Sequence, residues 1–495
     1  RPAAGMRAFS QPHFGRARLA GPLRVAVLGG GLAGIAAAVT LAERGAAVTL
    51  LEANAGLGGR LAAWPVEVAG ERFEMDRGFH AFFRNYYNLR ALLRRVDPAL
   101  DGLVPLTDYP ILTPAGPLSF ADLPANALLT LLPLMRQVGI GIGDLRRVRI
   151  GHALAMLGWH PQRTPARWDS LSAEDWLRGL NFPPAARMRL LDVFAHSFFN
   201  PTDAFSAADL LMLFHYYFFG NREGLVFDVA RRPFGAWLWR PFEAHLRALG
   251  VDLRLGCAGQ AIARHDDHWQ VHTADGPLTA DALVLALDAP GLRRVLDASG
   301  TLAAAVRTPL ERVRPTRPFA VWRLWLDRPV DAARAPFAGT AGYDILDNVS
   351  VYSAFHDESA DWARRHGGAV LELHAYGLNT EDEADIRRRL LGALHAVYPE
   401  TATAQVLGEQ FLLRADCPAF PPGSAADRPG VGTADPTLVL AGDHVRLPFA
   451  CALMERATAS GVLAANTLLA MHRVDPAPLW TGPQRGLLAP TLRAA

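Results

Sequence analysis

The stretch RVAVLGGGLAGIAAAVTLAERGAAVTLLEANAGLGGR, residues 24–60, constrains the fold more than any other part of the chain. An apolar, β-rich run at 25–28 meets Gly29, Gly31 and Gly34 in GxGxxG spacing. Leu32 and Ala33 then open a segment of helical composition that ends near Gly45, and a second apolar run ends in Glu52. Each part has a physical purpose. Gly29 permits a tight turn, Gly31 lets backbone approach a pyrophosphate, and Gly34 lets the helix pack closely on the strand. The helix start offers amide donors and the positive end of its dipole to phosphates. Glu52 stands 18 residues beyond Gly34, placed to accept from ribose hydroxyls. The unit predicts an α/β fold with a parallel sheet and a bound dinucleotide.

Far along the chain, LVLAGDHVRLPFACALMERATASGVLAAN, residues 438–466, reads as a strand, then Gly442-Asp443, then a loop and a helix containing Met454. Gly58-Gly59-Arg60 follows Glu52 at short range. Together these resemble the FAD-binding oxidoreductases of the amine oxidase and phytoene desaturase superfamily. The resemblance implies FAD, with Gly58, Gly59 and Arg60 along its phosphates. It implies that Gly442 and Asp443 meet the ribityl or phosphate part, and that the helix start at Met454 faces the isoalloxazine. Asp443 can equally serve as a helix N-cap, and the two roles are compatible.

The same resemblance implies a Rossmann-like FAD-binding domain interleaved with an α+β substrate domain. FAD-binding pieces are expected at 21–100, 236–300 and 430–470. A mainly helical substrate or membrane-docking region is expected at 101–235, and a substrate region with sheet at 301–429. Tails would occupy 1–20 and 471–495. Within the second piece, ADALVLAL reads as a buried strand. Within the second insertion, 318–326 and 369–377 read as strands and 381–398 as a charged helix.

Composition narrows the chemistry. Fifty basic residues face 48 acidic ones, for a net charge of +2, which is no nucleic-acid signature. Every basic residue other than histidine is arginine, so neither a Schiff-base lysine nor a lysine general base exists here. Cys257, Cys417 and Cys451 are scattered, without CxxC spacing, and read as reduced cytosolic thiols. The first twenty residues carry no apolar signal core. No segment outside the glycine motif is apolar enough for a spanning helix. Residues 123–143 form an apolar stretch broken by Pro133; it could lie on a bilayer or line an internal pocket.

Three further stretches bear on the substrate. The first is MDRGFHAFFRNYYNLRALLRRV, residues 75–96, with an Asp76-Arg77-Gly78 turn. The second is FFNPTDAFSAADLLMLFHYYFFGNREGLVFDV, residues 198–229. The third joins Gly442-Asp443-His444 to Arg446-Leu447-Pro448-Phe449. Together they resemble the carotene desaturase/methyltransferases of the isorenieratene synthase type, over nearly the whole chain after residue 20. That family desaturates a β-ionone ring and moves one geminal methyl, giving an aromatic end group of χ or φ type. The resemblance implies hydride transfer to flavin, a carbocation, a methyl shift and loss of a proton.

A polyene demands an apolar, aromatic tunnel. Phe79, Phe82, Phe83, Phe214, Tyr216 and Tyr217 are the candidates for lining it and for steadying a cation through their ring faces. His80, His215 and His444, in that order, are candidate bases, with Glu223 behind them. Each histidine could instead be a hydrogen-bonded structural residue, and the aromatic block could be core. No metal ligand set is expected: HDDHWQVH, residues 265–272, reads as a surface hairpin with acids at its tip.

Three alternatives remain at this stage. An amine oxidase on the same scaffold is opposed by the missing lysine, since that group generally places one near the flavin. A desaturase or isomerase of acyclic carotenes or squalene-type hydrocarbons needs the same tunnel. A carotenoid-binding flavoprotein without turnover belongs to another class. The expected partners are a lipophilic carotenoid, a membrane touched peripherally from its cytoplasmic inner face, and an electron acceptor that is a quinone, oxygen or a carrier protein. No nucleic acid is expected.

Overall fold

The computed structural model describes residues 5–106, 108–119, 142–221 and 223–489. Its central element is a five-stranded parallel sheet, in spatial order Asp252–Leu255, Ala47–Glu52, Arg24–Leu28, Ala282–Leu285, Leu438–Leu440. Ala282–Leu285 is buried along its whole length, as a strand covered on both faces must be. The Leu32–Glu43 helix is almost entirely buried, because the Leu453–Met471 helix packs across it. Gly461 of that second helix leaves so little room that a Cβ would fall 2.1 Å from the Ala33 carbonyl oxygen. Strands from three distant stretches thus share one sheet, and the glycine loop sits at its carboxyl edge, where open α/β sheets bind ligands.

A six-stranded sheet runs in the order Val406–Arg414, Phe319–Leu326, Ala369–Ala375, Asn348–Val351, Phe337–Thr340, Ile111–Leu112. It is antiparallel except where Ile111–Leu112 joins Phe337–Thr340. Strand alternation divides its side chains. Ala320, Trp322, Leu324, Leu371 and Leu373 form a core with Ile386, Leu390 and Leu394 of the Glu383–Val397 helix. Phe319, Val321, Arg323, Glu372 and His374 therefore face the other way, toward the parallel sheet.

Short helices pack on one another beside these sheets, among them Ile150–Leu157, Arg163–Trp168, Ala173–Leu180 and Ala207–Phe214. Ser172 caps one of them by accepting from the Asp175 amide. The Ala207–Phe214 helix continues through a wider π turn, His215–Phe219, which rotates the aromatic block off its helical register. Residues 265–268 form the turn joining Ala261–Arg264 to Trp269–Thr273. Among the described residues no group of three or more His, Cys, Asp or Glu side chains stands where it could hold a metal. The three cysteines are free and buried. No described helix is long and apolar enough to cross a membrane. The apolar stretch 123–143 lies, but for its last two residues, outside the described residues.

Candidate functional site

One cavity of about 770 Å³ joins the glycine loop to the six-stranded sheet. At its first end, Gly29–Ala33, Glu52, Gly58–Leu61, Gly442, Asp443 and Met454 line the wall. Gly34 stands behind that wall. A Cβ there would sit 1.8 Å from the Gly29 carbonyl oxygen, so only glycine lets the helix start this close to the strand. Between the two loops is a notch: a Cβ on Gly31 would meet nothing nearer than the Gly59 Cα at 3.7 Å.

Glu52 is buried and accepts from the Gly30 amide at 2.7 Å and from the Asn54 amide and Asn54 Nδ2 at 2.8 Å. A carboxylate has about four lone-pair sites, so it keeps capacity for a hydroxyl from the cavity. Arg60 pairs with Asp443 across the opening. Burial alone would raise the Asp443 pKa, but the Arg60 charge and hydrogen bond outweigh it and hold the carboxyl below the usual aspartate range. Glycine notch, helix-start amides, hydroxyl-accepting carboxylate and ion pair form a donor set that fits the phosphates, ribose and ribityl chain of FAD.

The second end is aromatic. The Phe79 ring stacks on Phe337 at 4.3 Å. Phe83 packs on Tyr217 at 4.9 Å, and the Tyr217 hydroxyl meets that of Tyr86 at 2.6 Å. Phe194, Phe198, Met212 and Leu213 extend this wall. Of the six aromatic candidates, Phe79, Phe83 and Tyr217 line the cavity. The other three do not. Phe82 is fully buried against Phe234 and Trp237. Phe214 packs on Phe218, and Tyr216 is buried with its ring over Tyr86. Phe82 and Phe83 are strand neighbours and point to opposite faces, and residues 214, 216 and 217 point in different directions where the helix runs into the π turn.

The candidate bases divide in the same way. His80 lines the cavity, and its Nδ1–H donates to the Gly78 carbonyl at 2.7 Å, which leaves Nε2 as an acceptor. Burial pushes its pKa down to about 4. His215 lies outside the lining: it stacks on Trp159 at 4.8 Å and donates to the Pro483 carbonyl at 2.8 Å. His444 is also outside the lining, packed under Gly442, with burial lowering its pKa to about 4. Glu223 sits in the loop after the π turn, its amide donating to Asn221 Oδ1 at 2.9 Å, and it too is outside the lining.

A set of residues that sequence reasoning missed converges on the cavity instead. Arg323, 2% exposed, reaches Asp76 Oδ1 at 2.7 Å and, through Nε, Glu372 Oε2 at 2.7 Å. Glu372 Oε1 accepts from the Phe79 amide at 2.6 Å and meets His374 Nε2 at 2.7 Å. His374 Nδ1 meets the Tyr376 hydroxyl at 2.6 Å, and Asn348 Nδ2 donates to that hydroxyl at 2.9 Å. His374, Tyr376 and Asn348 line the cavity. Two acids share one guanidinium. Desolvation raises both, but Arg323 and the His374 bond hold Glu372 below the usual range, whereas burial and the neighbouring Glu372 push Asp76 up. Two signals could have found the set: an arginine inside the otherwise apolar strand FAVWRLWL, and the alternation of Glu372, His374 and Tyr376 in ELHAY.

The fold and this cofactor end define a flavoprotein class, and residues 32–469 match the family of flavin containing amine oxidoreductases, to which the chain belongs. Its cofactor is FAD. Within that family the chain is 46% identical over 488 residues to the carotenoid phi-ring synthase of Streptomyces griseus, covering 97% of this chain and 94% of that protein. It is 29% identical over 596 residues to the carotenoid phi-ring synthase of Chlorobaculum tepidum, covering 95% and 92%. Putrescine oxidase bound to putrescine shares the fold, with a TM-score of 0.65 at 17% identity, covering 91% of this chain and 99% of that one.

Proposed function

We propose that this FAD-dependent oxidoreductase converts the β-ionone ring of a carotenoid into an aromatic φ-type end group, removing four hydrogens per ring and moving one geminal methyl. The observation that carries the reading is the single cavity with the dinucleotide elements at one end and an aromatic, lysine-free wall at the other. The similarity to carotenoid phi-ring synthases favours φ over χ.

Bound FAD supplies a two-electron acceptor for hydride. Glu52, the Gly29–Ala33 loop and the Arg60–Asp443 pair would hold it, with Met454 on the same stretch of cavity wall. Phe79, Phe83 and Tyr217 orient the end group, exclude water, and offer ring faces to the cation left by hydride loss. The adjacent methyl then migrates with its bonding pair, and loss of a proton leaves a new double bond; a second hydride and a second proton, lost once the flavin is reoxidised, complete the four hydrogens. A polyene dissolves in lipid, so the chain would collect its substrate from the inner face of a membrane. Ile150, 68% exposed at the start of its helix, supports such peripheral contact. A quinone, oxygen or a carrier protein would then reoxidise the flavin.

The test is product analysis. Cells making β-carotene and cells making only lycopene would each receive the chain, and the pigments would be separated and examined by mass spectrometry and NMR. A pigment four hydrogens lighter per ring, with aromatic methyl signals, is expected from the first strain. Conversion in the lycopene strain alone would overturn the ring-forming reading in favour of an acyclic desaturase.

A further inference from the structure

We propose that Tyr376, His374 and Glu372 form the proton-accepting relay of this cavity, with Tyr376 taking the ring proton at its phenol oxygen. This rests on the ring-forming reading above.

With a neutral His374 imidazole the hydrogen bonds take one arrangement. Arg323 keeps Glu372 ionised, and an ionised carboxylate only accepts. Glu372 Oε1 meets His374 Nε2, so that nitrogen carries the hydrogen. In a neutral imidazole Nδ1 is then the acceptor. Tyr376 must therefore donate its O–H to Nδ1, while Asn348 Nδ2 donates to the phenol oxygen. One lone pair of that oxygen is left for a proton arriving from the cavity.

The step balances. Hydride loss to FAD and the methyl shift leave a cation on the ring. A neighbouring C–H bond breaks, and its electron pair forms the ring double bond and neutralises the cation. The proton joins the Tyr376 oxygen as the phenol's own proton passes to His374 Nδ1. The imidazolium so formed lies against Glu372, as the base of a catalytic triad lies against its carboxylate. The proton returns to water through the same phenol after the product leaves.

Tyr376 acts as a conduit. Burial raises its pKa far above the ordinary phenol value, so it passes a proton on without resting as phenolate. A cation's neighbouring C–H is acidic enough for so weak a base. His80 is the poorer choice: it lines the same cavity, but among the described residues no carboxylate is hydrogen-bonded to it to steady an imidazolium. The relay is also rigidly held. The Phe199 ring packs on Tyr376 at 4.6 Å, and the Tyr376 amide donates to Asp347 Oδ2 at 2.7 Å.

The experiment uses purified holoprotein, β-carotene in detergent micelles, and the variants Tyr376→Phe, His374→Gln and Glu372→Gln. Flavin reduction by β-carotene is followed anaerobically by absorbance, and aromatic product, which needs two hydride transfers per ring, by chromatography of the pigment with a quinone supplied to reoxidise the flavin. The first two variants are expected to form aromatic product roughly 10²-fold more slowly, the lower end of general-base catalysis, and to yield less product per reduced flavin. Glu372→Gln should slow product formation as well, because the imidazolium loses its counter-charge, while flavin reduction by bound carotenoid stays near the wild-type rate. The groups facing His374 are Glu372 and Tyr376 on its own strand, Arg323 on the next strand with Asp76 behind it, His80 across the cavity, and Asp347 through the Tyr376 amide.

Wild-type rates of product formation in all three variants would overturn the relay. So would equal losses of flavin reduction and product, which would make these residues substrate-positioning only. Tyr376→Phe removes a single oxygen, so its FAD content and folding serve as the control should His374→Gln fail to fold. A wild type that makes no aromatic product from β-carotene would end the ring-forming reading itself, whereas an active wild type with indifferent variants would end only the relay.

Discussion

Gly78 lies directly against the His374 imidazole: a Cβ at residue 78 would stand 2.8 Å from His374 Nε2 and 2.9 Å from Glu372 Oε1. Its φ of +99° adds a second reason for glycine. The Asp76-Arg77-Gly78 turn therefore holds the buried acid–histidine pair from below, with Asp76 on Arg323 and the Phe79 amide on Glu372. Gly78→Ala should cost about 1–3 kcal/mol through backbone strain alone. It should lower product formation more than FAD content, as read by thermal unfolding, flavin absorbance and pigment analysis.

Arg60→Gln would leave Asp443 buried without its cation. Breaking a buried pair costs roughly 3–5 kcal/mol, so FAD content and Tm should both fall. The sign with pH follows from the depressed Asp443 pKa. The pair's contribution is present above the ordinary aspartate value near 3.9 and is lost as pH falls through the lower folded value. The Tm gap between wild type and Arg60→Gln should be wide at neutral pH and narrow in acid; a gap independent of pH would contradict this.

Glu455 behaves in the opposite sense. It accepts from the Asn88 and Leu89 amides and from Asn88 Nδ2 at the start of the Tyr87–Leu93 helix, yet burial raises its pKa to about 7. The folded state then holds a proton that the unfolded state releases from about pH 4.3 upward. This contribution falls as pH rises toward and through 7. Comparison of wild type with Glu455→Gln should show the wild type's Tm advantage shrinking from pH 5 to pH 8.

Phe79→Leu keeps an apolar side chain but removes the ring face stacked on Phe337. A cation–π contribution of about 1 kcal/mol predicts flavin reduction by bound carotenoid slower by roughly fivefold, with FAD affinity unchanged. Stopped-flow reduction at saturating carotenoid measures it.

His215→Ala should lower Tm through loss of the Trp159 stack and the bond to Pro483. Turnover per bound FAD should stay within about twofold of wild type, because the ring lies outside the cavity. A large loss of turnover at full FAD content would return His215 to the chemistry.

The sequence by itself determined the cofactor end. The strand, the spaced glycines, the helix and Glu52 are consecutive, so their geometry follows from local backbone preferences, and the Gly442-Asp443 stretch could be matched to them by resemblance. The aromatic character of the substrate end was legible for the same reason. Which aromatic side chains reach the cavity was not, because the π turn at 215–219 shifts the register by a residue that no periodic reading anticipates. The site on the six-stranded sheet needed the tertiary structure altogether. Asp76, Arg323, Asn348, Glu372, His374 and Tyr376 come from four strands or their ends, and each taken singly looks like an ordinary polar residue in an apolar run. Only strand pairing brings Arg323 opposite Glu372 and Asn348 opposite His374. Once paired, burial forces the charged groups among them, Asp76, Arg323 and Glu372, to bond one another, because an unpaired charge in that interior would cost more than the fold could bear.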